Sequence, residues 1–156
     1  VTTDDGRAGI RLVLVLAGAS LAALTGPAPV RQLEVRDARD RAVLAIPVHD
    51  GERVDVAFTH SSEKCRWTQH YEVRGFHFDQ VGSTFPCFGP GMPTASWDGG
   101  PLGWGQSGFT AFGGGRLDSI PMLYSRAADI RLVVRGTSTR VGDRLADFEA
   151  FHVRVR

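Results

Sequence analysis

The stretch Arg53–Val73, RVDVAFTHSSEKCRWTQHYEV, decides the fold. Val54, Val56 and Phe58 alternate with Asp55 and Thr59. Then Trp67, Gln69, Tyr71 and Val73 alternate with Thr68, His70 and Glu72. A period of two places successive side chains on opposite faces, so each run reads as a strand with one face buried. The polar connection Ser61–Arg66 makes the two runs an antiparallel pair. His60 keeps the parity of Val54, Val56 and Phe58 and so points inward at the end of its strand. Gln69 shares the interior face of the second strand, which predicts a common neighbourhood for His60, Ser61 and Gln69.

The same rhythm extends both ways. Towards the N-terminus, Leu33 and Val35 alternate with Glu34 and Arg36, and DARDR turns the chain. Ala42–Val48 is a second strand with Leu44, Ile46 and Val48 on one face; Pro47, lacking an amide donor, confines it to a sheet edge or ends it. HDGE (His49–Glu52) carries Asp-Gly, a hairpin signal. Towards the C-terminus, Phe76 and Phe78 open another strand after Gly75. From Ser83 to about Gly115 the alternation breaks into glycine, proline and aromatics. Five bulky aromatics between Phe88 and Phe112 argue against disorder there. The segment reads as one long ordered loop, with a short strand near Phe109–Phe112. DIRLVVR and FHVRVR close the chain with Ile130, Leu132, Val134 and Phe151, Val153, Val155 inward, and RLADFEA between them has a helical period. About eight short strands with regular turns indicate an all-β domain over residues 30–156, a sandwich or partly closed barrel.

The 156 residues suffice for one domain with a substantial core. Eighteen Lys+Arg against 17 Asp+Glu leave a net charge of +1 with no basic stripe, which gives nucleic-acid binding little support. Arg7 and Arg11 precede the apolar run Leu12–Leu24, followed by TGPAPV. This matches a secretory signal over 1–29, or an uncleaved anchor. As a helix the run spans about 20 Å, short of the roughly 30 Å of a bilayer core. The alternative is a buried core helix. Export predicts an extracytoplasmic protein whose only membrane contact is through this segment. In an oxidising compartment Cys65 and Cys87 are more often bridged than free, closing a loop of roughly 20 residues at about 3 kcal/mol; two unpaired core thiols are the alternative. A bridge would staple the Gly/Pro loop FPCFGPGMP (Phe85–Pro93) as a lid beside His60.

Chemistry is sparse. There is no G-x-S-x-G elbow, no carboxylate in HSSEKC bound to orient His60, and no evident pair of carboxylates, so no catalytic residue is assigned and no enzyme is expected. His70 and Glu72 with His77 are polar residues of the kind any half-exposed sheet displays, and neither a metal nor another cofactor is expected. Trp97 and Trp104 either fill the core beneath the loop or form an aromatic platform for a sugar ring.

FTHSSEKCRWTQHYEV followed by FPCFGPGMP resembles the domain-of-unknown-function 1850 family of small exported bacterial proteins. His60, Ser61, Phe85, Phe88, Gly89, Gly91 and Pro93 match its pattern. Gln69 stands where that family usually has glutamate, and Cys65 and Cys87 replace small polar residues, two departures that read as one added bridge. The resemblance implies no established activity. It implies a role beside transport, as an accessory to a tripartite ATP-independent periplasmic (TRAP) transporter of the TAXI type. The partner would be its membrane subunit or its solute-binding protein. The contact niche would be His60, Ser61 and Gln69 with Phe85–Pro93. The alternative is an extracytoplasmic carbohydrate or small-solute binding module using Trp97 and Trp104.

Overall fold

The computed structural model describes residues 29–156, so the expected signal or anchor helix lies outside the described residues. The chain forms two antiparallel sheets packed face to face. One has four strands in the order β2-β1-β12-β9: β1 (Arg31–Arg36), β2 (Ala42–Val48), β9 (Ile120–Leu123) and β12 (Ala150–Val155). The other has eight. Its path runs β11-β10-β3-β4-β5-β7-β6, with β8 on β5. The members are β3 (Arg53–Thr59), β4 (Arg66–Arg74), β5 (His77–Phe85), β6 (Gly103–Gly105), β7 (Gly108–Phe112), β8 (Arg116–Leu117), β10 (Arg131–Val134) and β11 (Thr137–Arg140).

The alternation read from the sequence is the alternation found. Val54, Val56, Tyr71, Val73, Leu132 and Val134 of the larger sheet face Leu33, Val35, Val153 and Val155 of the smaller one, all buried in one core cluster. Burying such a side chain is worth about 1.5–3 kcal/mol, so this layer dominates the stability. Pro47 sits on β2, an edge strand, where no ladder bond is lost. The DARDR turn joins β1 to β2. The Asp37 carboxylate, buried at 2% exposure, accepts bonds from the amides of Arg39 and Arg41 and from the Arg41 guanidinium.

Several expectations are corrected. Asp50-Gly51 makes a turn but no hairpin, because β2 and β3 belong to different sheets. Only Gly51 has positive φ (78°), whereas the hairpin-forming type I′ turn needs it at both central positions. This turn is the corner between the layers. Phe76 lies in the β4–β5 turn, exposed, with the Arg31 guanidinium 4.1 Å above its ring. The irregular stretch begins after Phe85, not at Ser83, and includes the β6–β7 hairpin as well as the expected strand near Phe109–Phe112. RLADFEA forms turns, not a helix. The strands β9 and β11 escaped the reading because IPML carries a proline and TSTR has no apolar face. Among the described residues there are twelve strands, several of two to four residues, where about eight were expected. Among the described residues no helix is long and apolar enough to cross a membrane.

Candidate functional site

The smaller sheet covers only part of the larger one. Over the remaining inner face, where β4, β5 and β7 continue, the segment 86–102 folds back as a cover. A second core cluster lies beneath it, built from Trp67, Phe85, Met92 and Ala111, with Phe58, Leu102, Phe109 and the two cysteines packed around it. Cys65 and Cys87 are joined in a disulfide, with Cα atoms 6.4 Å apart. The bridge ties the β3–β4 turn to the start of the cover.

The FPCFGPGMP stretch now has a local explanation. The Met92 amide donates to the Gly89 carbonyl at 3.1 Å, closing a turn with Pro90 and Gly91 at its centre, and Gly91 has φ +81°. Proline first and a positive-φ glycine second define a type II turn. It swings Met92 inward. Gly89 lies under the Glu63 side chain, which occupies the space where a Cβ would stand, so the glycine lets the cover and the β3–β4 turn touch. Further along, buried Ser96 locks the cover to β7: its hydroxyl donates to the Pro101 carbonyl at 2.8 Å and accepts from the Phe112 amide at 3.1 Å. Sequence reading passed over Ser96 and Met92, which carry no motif.

The expected neighbourhood of His60, Ser61 and Gln69 is brought together only in part. The His60 ring stacks on Trp67 with centroids 5.6 Å apart, inward as its parity requires. Its Nδ1 lies 3.1 Å from the hydroxyl of Ser62, not of Ser61. Ser61 is exposed and, with His60, Lys64, Ser125 and Ala128, lines a niche of about 110 Å³. Gln69 is elsewhere. It pairs with Val56, four residues before His60 on β3, and accepts the Tyr71 hydroxyl at 3.0 Å. The ladder starts at Thr59–Arg66, so Trp67 occupies the position nearest His60 and Gln69 falls further along. Burial pushes the Tyr71 phenol up to about 12.

Of the remaining expected residues, Phe85 is fully buried and Pro93 half-buried. Phe88 is 45% exposed, Trp97 50% and Trp104 73%, so neither tryptophan fills the core. Phe88 and Trp104 both pack against Phe109, at centroid distances of 4.0 and 4.4 Å, and form one aromatic row along the edge of the cover. Trp97 is held separately, its amide bonded to the Phe112 carbonyl. Between Pro86 and Gly115 the only charged residue is Asp98. The outward groups weighed for a metal are otherwise engaged: Glu72 pairs with Arg74 at 2.9 Å, and His77 lies 3.7 Å from Asp79. Among the described residues no group of three or more His, Cys, Asp or Glu is placed to hold a metal ion.

The family model for a domain of unknown function (DUF1850) matches residues 54–141, more than half of the chain, and both motifs lie inside the match. The chain belongs to that family. The DUF1850 match runs from the second residue of β3 to just past β11. It takes in the stapled cover, β9 and all of the larger sheet except Arg53, and leaves out β1, β2 and β12. No curated protein and no solved structure matches the chain.

Proposed function

We propose that this DUF1850 protein is an extracytoplasmic accessory that docks on a membrane subunit of a TAXI-type TRAP transporter through the aromatic edge of its stapled cover. The observation that carries the reading is the row Phe88–Phe109–Trp104, solvent-facing within a 30-residue stretch that holds a single charge. Exposed aromatics depleted of charge are the composition of interface centres, where a few such anchors dominate binding. A disulfide and a type II turn hold the row in place beforehand, which lowers the ordering cost of docking. The disulfide also fits an oxidising compartment outside the cytoplasm. The transporter as partner rests on the family resemblance of His60-Ser61 and FPCFGPGMP.

The test is a mild-detergent pull-down of a tagged copy from native membranes, with bound proteins identified by mass spectrometry. Recovery of a multi-spanning transporter subunit in fixed ratio, reduced at least tenfold by Phe88→Ala/Trp104→Ala, is expected. A clean monomer with no membrane partner overturns the reading. The exposure of Trp97 and Trp104 favours a second one, a glycan-binding module. Retention on immobilised polysaccharide that is lost in Trp104→Ala would put it first. Because the two tryptophans have separate supports, each would act as its own stacking surface.

A further inference from the structure

The outer face of the larger sheet carries a hydrogen-bonded chain across three adjacent strands. Asp55 of β3 and His70 of β4 are direct cross-strand partners, and Asp55 Oδ1 lies 2.8 Å from His70 Nδ1. On the other side, His70 Nε2 lies 2.7 Å from the Thr84 hydroxyl of β5. The residue paired with His70 on β5 is Gly82, so no side chain stands beside the ring and the imidazole reaches diagonally to Thr84. The ladder also bulges between His70 and Tyr71. Bulges re-aim side chains and are concentrated next to active sites.

The order of groups selects the tautomer of the neutral ring. An ionised carboxylate can only accept, so Nδ1 carries the proton towards Asp55. In that neutral tautomer Nε2 is the acceptor facing the Thr84 O–H. The imidazole side chain is 12% exposed and the Asp55 carboxylate 24%, sheltered but in reach of solvent. Burial opposes ionisation of Asp55. The hydrogen bonds from His70 and from Arg53, whose Nε is 2.9 Å away, outweigh it and hold the carboxyl below the usual range. The chain opens into a shallow polar basin with Thr68 and Thr110 on its floor. The Gly105–Gly108 turn forms its lip, where Gln106 and Ser107 are exposed.

We infer that Asp55, His70 and Thr84 form a nucleophilic site for acyl transfer from small polar esters. Thr84 Oγ1 attacks the ester carbonyl carbon and its proton passes to His70 Nε2. The tetrahedral adduct collapses, the C–O bond to the alcohol breaks, and the alkoxide leaves with the proton from His70. Water, deprotonated by His70, then cleaves the acyl-threonine and the proton returns to Thr84. Asp55 is the positioning residue that holds the tautomer. The Gln106 amide and Ser107 hydroxyl at the lip line the basin with the Thr68 and Thr110 hydroxyls and the Arg53 guanidinium, and from this set the donors to the oxyanion would come. The basin has no apolar slot, which restricts the acyl group to short chains. This site lies on the sheet face opposite the stapled cover and does not depend on the docking function.

The experiment is incubation of the folded protein with p-nitrophenyl acetate, following nitrophenolate release and mapping the +42 Da adduct by peptide fragmentation. The expected result is acetylation at Thr84, retained in Thr84→Ser and lost in Thr84→Val. His70→Gln should slow it at least ~100-fold, the range of a general base. Asp55→Asn should lower kcat with KM unchanged, a split that a purely structural role would not give. All variants are compared at equal circular dichroism. Label on other residues with Thr84 bare, or Thr84 labelled equally in His70→Gln, overturns the site.

Discussion

Asp37 is a carboxylate closed over by its own turn. The Arg41 amide contributes most to holding its carboxyl below the usual aspartate range; burial opposes this, and the Arg41 guanidinium and the Arg39 amide add to it. A native value below the unfolded value of about 3.9 means stability that is fully present above that value and is lost as pH falls through the native one. Asp37→Asn should therefore lower the urea midpoint at pH 7 and at pH 5, and the gap to the parent should narrow as the pH falls below the ordinary aspartate value of about 3.9. A gap that stays undiminished as the pH is lowered to the acid limit of the folded state would show that shape, not charge, holds the turn. At this scale the sequence was partly legible. Parity alone put His60 against the interior. The same alternation put Asp55 and His70 on an outer face, but which cross-strand partner each meets depends on register, and register is invisible in an isolated strand. Gln69 shows the same limit: its face was right and its neighbours were not.

The stapled cover is the element whose character the sequence declared most openly and whose structure it hid best. Glycine, proline and aromatics announced an ordered excursion. The Ser96 contacts and the inward turn of Met92 depend on partners far along the chain and left no periodic signal. The bridge spans 22 positions, and the chain-entropy argument assigns it about 3 kcal/mol. Cys65→Ala/Cys87→Ala should lower the melting temperature by roughly 6–12 °C, at about 2–4 °C per kcal/mol for a domain of this size. If the cover loosens first, acrylamide quenching of Trp67, only 7% exposed in the intact protein, should rise before global unfolding. An unchanged melting temperature would mean that the Trp67–Phe85–Met92 cluster holds the cover unaided.

Seen whole, the domain is a large sheet whose inner face needs two covers, one from the smaller sheet and one from the stapled segment. The family match ends at 141, before β12, and begins after β1 and β2. A fragment cut at 54–141 would keep Val54, Val56, Val73 and Leu132 while losing Leu33, Val35, Val153 and Val155 from the facing layer. It should be insoluble or collapsed, whereas 29–156 should give a cooperative transition by circular dichroism. The sandwich class was legible because alternation survives in every long strand. The pairing of β1 with β12 was not, since no local signal links residues so distant. That pairing has a consequence in time. Val35 cannot find Val153 until more than a hundred further residues have been made, on the order of ten seconds at ~5–20 residues per second. Until then the inner face of the larger sheet has no lasting shelter. A chain that cannot close early stays threadable, and the proposed role outside the cytoplasm would gain from that delay, since it requires passage across a membrane before folding.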